Sequence, residues 1–472
     1  MEVVSAPRFS GLKMRKDQAM LRRSLLVVLA SLGASGSSLA QISTPTGIVP
    51  SRRSLERLGL EKHWMSIVPL GQGEQLKLFN VANSVLVSDK RPMDGQLFAQ
   101  TDRGHLHAFD AETGRYQWGA HLDSSNGNPL PVSVNSDQVF VTVLKTLYAL
   151  DRKTGRPLWK VQVDGIPSTG TICDEETVAV GTNSGKLVTY SVRDHSKDPT
   201  PGLSAGSFSW AWQSGAKLVS RPVVTPHLVT FASQDHRVYT ALKSEGENRK
   251  SQLLYRFLTS GPINASLATH GNRTLVVASE DHNVYGIDLF TADVRFIVST
   301  GAPIDQEPLV SGDDIVVINI DGRLFRINGR TREVVWEKQT DGHRILMLSP
   351  KRIYLVNPHH DLSIIDRATG QVVHNSRETY ETAGLDNREL KLAFPNYYDD
   401  RLIIGSANGF LFCVREAGSL TPTLLRALGT PPFGTIPPQG LVEESSGPAV
   451  VTPEPADATP GDNVAPEPEP DN

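Results

Sequence analysis

Three clusters in this chain have the residue types of a metal site: Asp235-His236, Asp281-His282 and His359-His360-Asp361. Imidazole with carboxylate suits zinc, which needs ligands converging from facing backbone. Here each cluster sits alone between two alternating apolar runs, where a turn is expected. His359 and His360 are chain neighbours, which is poor spacing for one shared ion. A second polar set comprises Arg221, Asn264, Asp305, Gln306, His343 and Arg344. Several of its members follow Gly/Pro-containing lead-ins such as Gly261-Pro262-Ile263 and Gly301-Ala302-Pro303. The set is mixed in charge and suits contact with a protein or peptide as well as a small molecule. The sequence has no His-Glu-x-x-His, no phosphate-binding glycine loop and no convincing Ser-His-Asp order. Its two cysteines, Cys173 and Cys413, allow at most one internal disulfide, and they read as small buried apolar side chains.

What must position these residues is a repeat. Eight short strands end near a Tyr-Ala-Leu-Asp pattern, placed by His107, Tyr148, Val188, Tyr239, Tyr285, Phe325, Ser363 and Phe412. The clearest copy is Tyr148-Ala149-Leu150-Asp151, followed by Thr154-Gly155 and Trp159. A recurrence of roughly 40 residues decides architecture before local reading. Within each copy an apolar β-branched run meets a tight polar turn, such as Asn183-Ser184-Gly185 or Asp321-Gly322, and a second alternating run follows. These are hairpin signals. No convincing amphipathic helix interrupts the repeats. About four strands per unit predict an all-β, eight-bladed β-propeller.

The aromatic residue recurs eight positions after the aspartate or its asparagine substitute: Asp110 to Trp118, Asp151 to Trp159, Asp288 to Phe296 and Asn328 to Trp336. His374 takes this place in the seventh copy. Gly114 and Gly155 make the intervening turns, and the aromatic is expected to cover the junction between neighbouring blades. Insertions displace the third and fourth copies, but Trp210, Trp212 and Tyr255 follow them. The eighth copy departs: Arg415 replaces the aspartate, and Thr423 stands at the aromatic offset. Before the first copy, however, His63-Trp64-Met65-Ser66-Ile67-Val68 resembles the segments after Trp118 and Trp159. This strand is expected to complete the last blade and pair its edge. Trp64, Trp118, Trp159 and Trp336 are therefore structural candidates.

The ends differ in kind. Residues 13–23 are basic, residues 25–32 are apolar, and Ser38-Leu39-Ala40 is a small-x-small site, so residues 1–40 read as a secretory signal peptide. Residues 41–61 read as a linker, 62–430 as the propeller and 431–472 as a disordered Pro/acidic tail. The tail carries 11 of the 31 prolines, eight acidic side chains and no basic one. The first 40 residues sum to +4 and the tail to −8, so with a total of −4 the remainder is close to neutral. A nucleic-acid binder would show a basic excess there. After signal cleavage the chain is not expected to be integral to a membrane.

The in-phase copies, led by His107-Ala108-Phe109-Asp110-Ala111-Glu112-Thr113-Gly114 with Trp118 and by Tyr148 to Gly155 with Trp159, resemble the pyrroloquinoline quinone (PQQ) repeat family over roughly residues 62–420. The resemblance implies an eight-bladed propeller with docked tryptophans. The family includes quinoprotein alcohol dehydrogenases and the non-catalytic BamB-type subunits of outer-membrane assembly machinery. The enzymes imply PQQ with calcium, oxygen ligands and a carboxylate base. Asn264, Asp305 and Glu307, at the starts of innermost strands, are the candidate ligands. The vicinal cysteine pair typical of those enzymes is absent, and so is a Cys-x-x-Cys-His haem motif. The resemblance thus implies an exported, non-catalytic, BamB-like scaffold of the periplasm or cell envelope, with an envelope protein or peptide as partner and no cofactor. The candidate partner contacts are Arg221, Gln306, His343 and Arg344. A PQQ/calcium-dependent oxidoreductase is the alternative. The lipid-accepting cysteine of BamB-type subunits is missing near the expected cleavage site.

Overall fold

A computed structural model describes residues 50–83, 95–123, 127–198, 202–225, 227–243, 252–383, 390–419 and 421–426. The signal peptide, residues 41–49 of the linker and the acidic tail lie outside them. The described strands form eight antiparallel four-stranded sheets. Seven are consecutive in sequence: blades 1 to 7 span residues 76–121, 133–162, 172–213, 223–258, 268–299, 309–339 and 344–374. Blade 8 takes its three inner strands from residues 392–416 and its outermost strand from Leu60–Ile67. In each blade the strands are called A to D from the innermost outwards. The top face carries the B–C turns and the lead-ins to the A strands. The bottom face carries the A–B and C–D turns.

The expected eight-bladed fold and its N-terminal closure are both present. Trp64 pairs with Cys413, one residue after Phe412. The same register holds in every blade. Ala108 pairs with Trp118, Ala149 with Trp159, Thr189 with Trp210 and Thr240 with Tyr255. Gly286 pairs with Phe296, Arg326 with Trp336 and Ile364 with His374. The inserted residues of the third and fourth copies therefore leave the D strands in phase, with Trp210 and Tyr255 at the aromatic position.

Trp64, Trp118, Trp159, Tyr255 and Trp336 dock on the C–D turn of the next blade. A Cβ placed on Gly114 would stand 2.5 Å from the Trp64 ring, and one on Gly155 would stand 2.4 Å from Trp118. Trp159 meets Gly206 and Trp336 meets Gly370 in the same way. All four glycines have φ between +67° and +77°, where a side chain is strained. The indole N–H of Trp64, Trp118 and Trp336 donates to the carbonyl of Ala111, Arg152 and Arg367 at 3.1, 2.8 and 3.1 Å. The Tyr255 hydroxyl makes the equivalent bond to Leu289 at 2.7 Å. Each acceptor directly follows the turn aspartate. That aspartate holds the turn: Asp151 Oδ1 accepts from the Thr154 amide at 2.8 Å and its hydroxyl at 2.7 Å. Trp159 stacks, but among the described residues its N–H finds no partner; the third copy has Ser191 in place of the aspartate and carries an insertion after it.

Ring closure adds charge to this packing. Blade 8 needs no C–D turn, since its D strand arrives from the N-terminus, and Arg415 occupies the position of the capping aspartate. Its guanidinium reaches Glu112 in the C–D turn of blade 1. Glu112 also meets Arg401 at 3.4 Å and His63 at 3.3 Å. Burial opposes the Arg401 charge, but Asp399 and Glu112 outweigh it and hold its pKa above the ordinary value. Both arginine side chains are 2% exposed, so the cluster depends on complete pairing.

Among the described residues two helices lie outside the repeat pattern. Helix α1 (Arg52–Arg57) is capped by Ser51, whose hydroxyl accepts from the Ser54 amide, and it buries Leu55. Helix α2 (Ser376–Ala383) follows blade 7, although no helix was expected there. Its start is a capping box: Asn375 Oδ1 accepts from the Glu378 amide at 2.8 Å, and Glu378 accepts from the Asn375 amide at 3.3 Å. Beyond blade 8, residues 421–426 form a strap on the bottom face. Leu424 bridges Asp399, and Leu425 enters the core of blades 6 and 7. Arg426 donates to Thr269 Oγ1 at 3.1 Å and Gly271 O at 2.7 Å in blade 5.

Two outcomes test this account by denaturant unfolding. Gly155→Ala is expected to cost roughly 2–3 kcal/mol, because strain and overpacking against Trp118 add. Gly301→Ala shares a positive φ but meets nothing within 4 Å, and should cost only about 1 kcal/mol. Glu112→Ala should cost roughly 3 kcal/mol and raise hydrogen exchange in the strand Leu60–Ile67 above that of blades 3 to 6.

Candidate functional site

The top face and the central channel hold the polar residues singled out from the sequence. The B–C turns settle the role of the histidines. Every B–C turn contains one left-handed residue: Gly104, Leu144, Gly185, His236, His282, Gly322, His360 and Gly409, with φ from +53° to +84°. His236, His282 and His360 thus stand where other blades use glycine, on separate turns of the ring. The neighbouring aspartates are also engaged. Asp235 Oδ2 accepts from the Gly215 amide at 2.8 Å and from the Tyr239 hydroxyl at 2.5 Å. Asp281 Oδ2 accepts from the Ser260 amide at 2.8 Å and the Tyr285 hydroxyl at 2.6 Å. Among the described residues no three His, Cys, Asp or Glu side chains are placed to hold a metal.

The channel brings together residues from five blades. Arg221, in the lead-in to blade 4, donates through Nη2 to both carboxylate oxygens of Glu307 in the lead-in to blade 6, at 3.0 and 3.2 Å. The Arg221 amide donates to Ser266 Oγ of blade 5 at 3.0 Å. Its guanidinium lies 5.7 Å from the ring centre of Tyr397 in blade 8, within cation–π range. Gln306 joins blade 6 to blade 7 by donating to Ile345 O at 2.7 Å and accepting from its amide at 2.9 Å. Burial pushes the Glu307 carboxyl above its ordinary pKa, and the Arg221 charge opposes this. Burial likewise raises the Tyr397 hydroxyl.

This arrangement separates the sequence candidates. Arg221 and the buried Glu307 form a latch across the channel, and Gln306 separately ties blade 6 to blade 7. Asn264 lies elsewhere, accepting from Gln234 at 2.8 Å and donating to Glu280. Asp305 and Arg344 are exposed and His343 is half-buried, so these three face solvent on the top surface. A calcium ion liganded by Glu307 would have to displace the Arg221 guanidinium, and Asn264 and Asp305 share no contact with that pair. The donor set does not fit a quinone-bound calcium as it stands.

Sequence reasoning passed over an apolar stretch of the top face. Leu144 is 56% exposed with φ +53°, and Ile166 is 50% exposed. With Pro129, Leu130 and His105 they line a cleft of about 340 Å³ across blades 1 to 3. The available signal was a leucine in a turn that every other copy builds from polar residues, histidine or glycine.

The family model described as outer membrane protein assembly factor BamB matches residues 37–253 and 243–419, most of the chain. The chain belongs to the BamB family. Outer membrane protein assembly factor BamB of Shewanella oneidensis is 24% identical over 346 residues, covering 69% of this chain and 73% of that relative. The Yersinia pestis protein of the same name is 22% identical over 408 residues, covering 84% and 88%. Among solved structures, BamB from Moraxella catarrhalis aligns with TM-score 0.56 at 16% identity, over 77% of this chain and 99% of that one. The computationally designed Ika8 protein aligns almost as well, with TM-score 0.54 at 13% identity, over 75% and 99%. That a designed chain shares the fold shows that the fold alone does not specify a function.

The latch has a pH signature. Because the folded Glu307 carboxyl lies above its ordinary 4.5, the folded chain binds more protons in that window, and stability falls as pH rises through it. Arg221→Met removes the opposing charge. It should cost roughly 3–5 kcal/mol at neutral pH and recover substantially toward pH 4–5 as Glu307 protonates, measured by denaturant unfolding across pH.

Proposed function

We propose that this chain is an exported, non-catalytic scaffold that binds an envelope protein or peptide on its top face during outer-membrane assembly. The observation that carries this reading is the channel latch. The buried carboxylate best placed to serve a quinone cofactor is held by Arg221 at 3.0 Å. The chemistry left facing solvent is that of recognition: Arg344, His343 and Asp305 in the lead-ins to blades 6 and 7, and the apolar Leu144 and Ile166 on the other side of the ring at blades 2 and 3. The top face thus offers exposed apolar side chains at one side and mixed charge at the other, and protein interfaces use both. Family membership and the names of the curated relatives support the assembly role. Among the described residues no helix is long and apolar enough to cross a membrane.

The test places a photo-crosslinking residue at Leu144, Ile166 or Arg344, and at Val335 on the outer rim, in the native bacterium. Top-face positions are expected to capture a subunit of the barrel-assembly machinery at least ten-fold more than Val335. In parallel, the purified protein is titrated with PQQ and calcium. Saturable binding with dye-linked alcohol oxidation would sink the scaffold reading and restore the oxidoreductase alternative.

A further inference from the structure

At the blade 5–6 junction the docking rule fails. The aromatic there is Phe296, which has no N–H or hydroxyl to donate, and the turn residue it should cover is Arg332, with φ +67° in place of glycine. A cleft of about 270 Å³ opens beside them on the bottom face. Arg273, Arg295, Arg330 and Arg332 line it with His270 and Phe296, and Asp313 is the one carboxylate among its lining residues. Arg273 and Arg295 both lie 2.6 Å from the buried Asp288 carboxylate. Arg330 meets Asp313 at 2.9 Å with most of its side chain exposed. Arg332 is exposed, and the described residues give it no ion pair. Burial pushes His270 below its ordinary pKa, so the histidine adds no positive charge at neutral pH. The cleft keeps an excess of guanidinium charge suited to carboxylates or phosphates.

The path of the chain supplies an occupant. The strap ends with Arg426 bonded to Gly271 O at 2.7 Å, and Gly271 itself lines this cleft. From that anchor the sequence continues into the acidic segment, whose first carboxylates are Glu443 and Glu444, with Glu454, Asp457, Asp462, Glu467, Glu469 and Asp471 beyond and no basic residue. The connecting residues reach roughly 55 Å at full extension, which is ample for a site adjoining the anchor. Tethering makes docking intramolecular, with an effective concentration of order millimolar for a short flexible tether. We propose that the acidic segment beginning at Glu443-Glu444 docks in the arginine cleft between blades 5 and 6 and screens it from other anions. The strap is then the lead that delivers the segment to its site, and the loss of glycine at Arg332 provides the cation that meets it.

The test uses the intact chain. Arg332→Lys places an amine in the cleft, and carbodiimide coupling joins an amine to a carboxylate in direct contact. Mass spectrometry of the monomeric protein is expected to find links from the introduced lysine to Glu443 or Glu444. These should be at least ten-fold more abundant than tail links from Arg156→Lys, a control at an exposed turn arginine of blade 2. They should fall at least ten-fold in 0.5 M salt. In the background of Glu443→Gln with Glu444→Gln, which leaves the propeller untouched, no link can form at those positions, and total tail links to the introduced lysine should drop. Tail links no more abundant than in the Arg156→Lys control, or confined to dimers, would overturn the proposal. So would binding of the intact protein to phosphatidylglycerol vesicles that is lost in Arg330→Glu with Arg332→Glu while no tail link forms, since the cleft would then serve an external phosphate.

Discussion

The structure depends on one contact repeated around a ring: a flat side chain on the last strand of one blade lies over a left-handed turn at the edge of the next. The turn must approach within van der Waals distance of the ring, so a Cβ is excluded at Gly114 and Gly155. The aspartate before it must hold the turn in shape, as Asp151 does through Thr154. The aromatic N–H or hydroxyl then satisfies a carbonyl that the packing would otherwise leave buried and unpaired. Three requirements converge on one short motif, and the blades are joined by many copies of it. Where one partner changes chemistry, the other terms adjust. Tyr255 keeps the hydrogen bond with a hydroxyl, Trp159 keeps the stacking and loses the bond, and Phe296 faces Arg332 across an open cleft.

Closing the ring imposes a second constraint, because the last blade has no following turn to supply its outer strand. The strand Leu60–Ile67 completes blade 8 through pairing with Phe410–Glu416, and Trp64 docks on blade 1 in the ordinary way. The position of the capping aspartate is released, and Arg415 uses it to reach Glu112. A departure from the repeat thus marks a change of job. With the ring closed, Arg221 and Glu307 bridge the channel between blades 4 and 6. On the scaffold reading proposed above, recognition falls to the turns and lead-ins of the two faces.

The motif spacing made the fold legible. Asp110 to Trp118 and Asp151 to Trp159 predicted the junction contacts, and the unpaired Trp64 segment predicted the closing strand. Helix α2 escaped because one Asn375–Glu378 capping box is a weak signal beside eight copies of a repeat. The candidate site was legible only in part. Asp305, His343 and Arg344 do face solvent, but Arg221, Gln306 and Glu307 bond to one another or to the backbone of a neighbouring blade. Their partners lie tens of residues away on other blades, and no local pattern encodes such pairings. The histidines of Asp235-His236 and Asp281-His282 were legible as turn residues, and the shared left-handed φ explains why histidine and glycine alternate there.

By itself, then, the sequence determined the number of blades, their register and the family. Those depend on local spacing, on hydrogen bonds within a turn and on side-chain periodicity, all written along the chain. Only the tertiary structure decided which polar groups are free and which are satisfied. Burial and partner distance govern that outcome, and both are set when blades far apart in sequence meet around the channel. The same carboxylate that reads as a metal ligand in sequence becomes half of an ion pair once Arg221 stands 3.0 Å away.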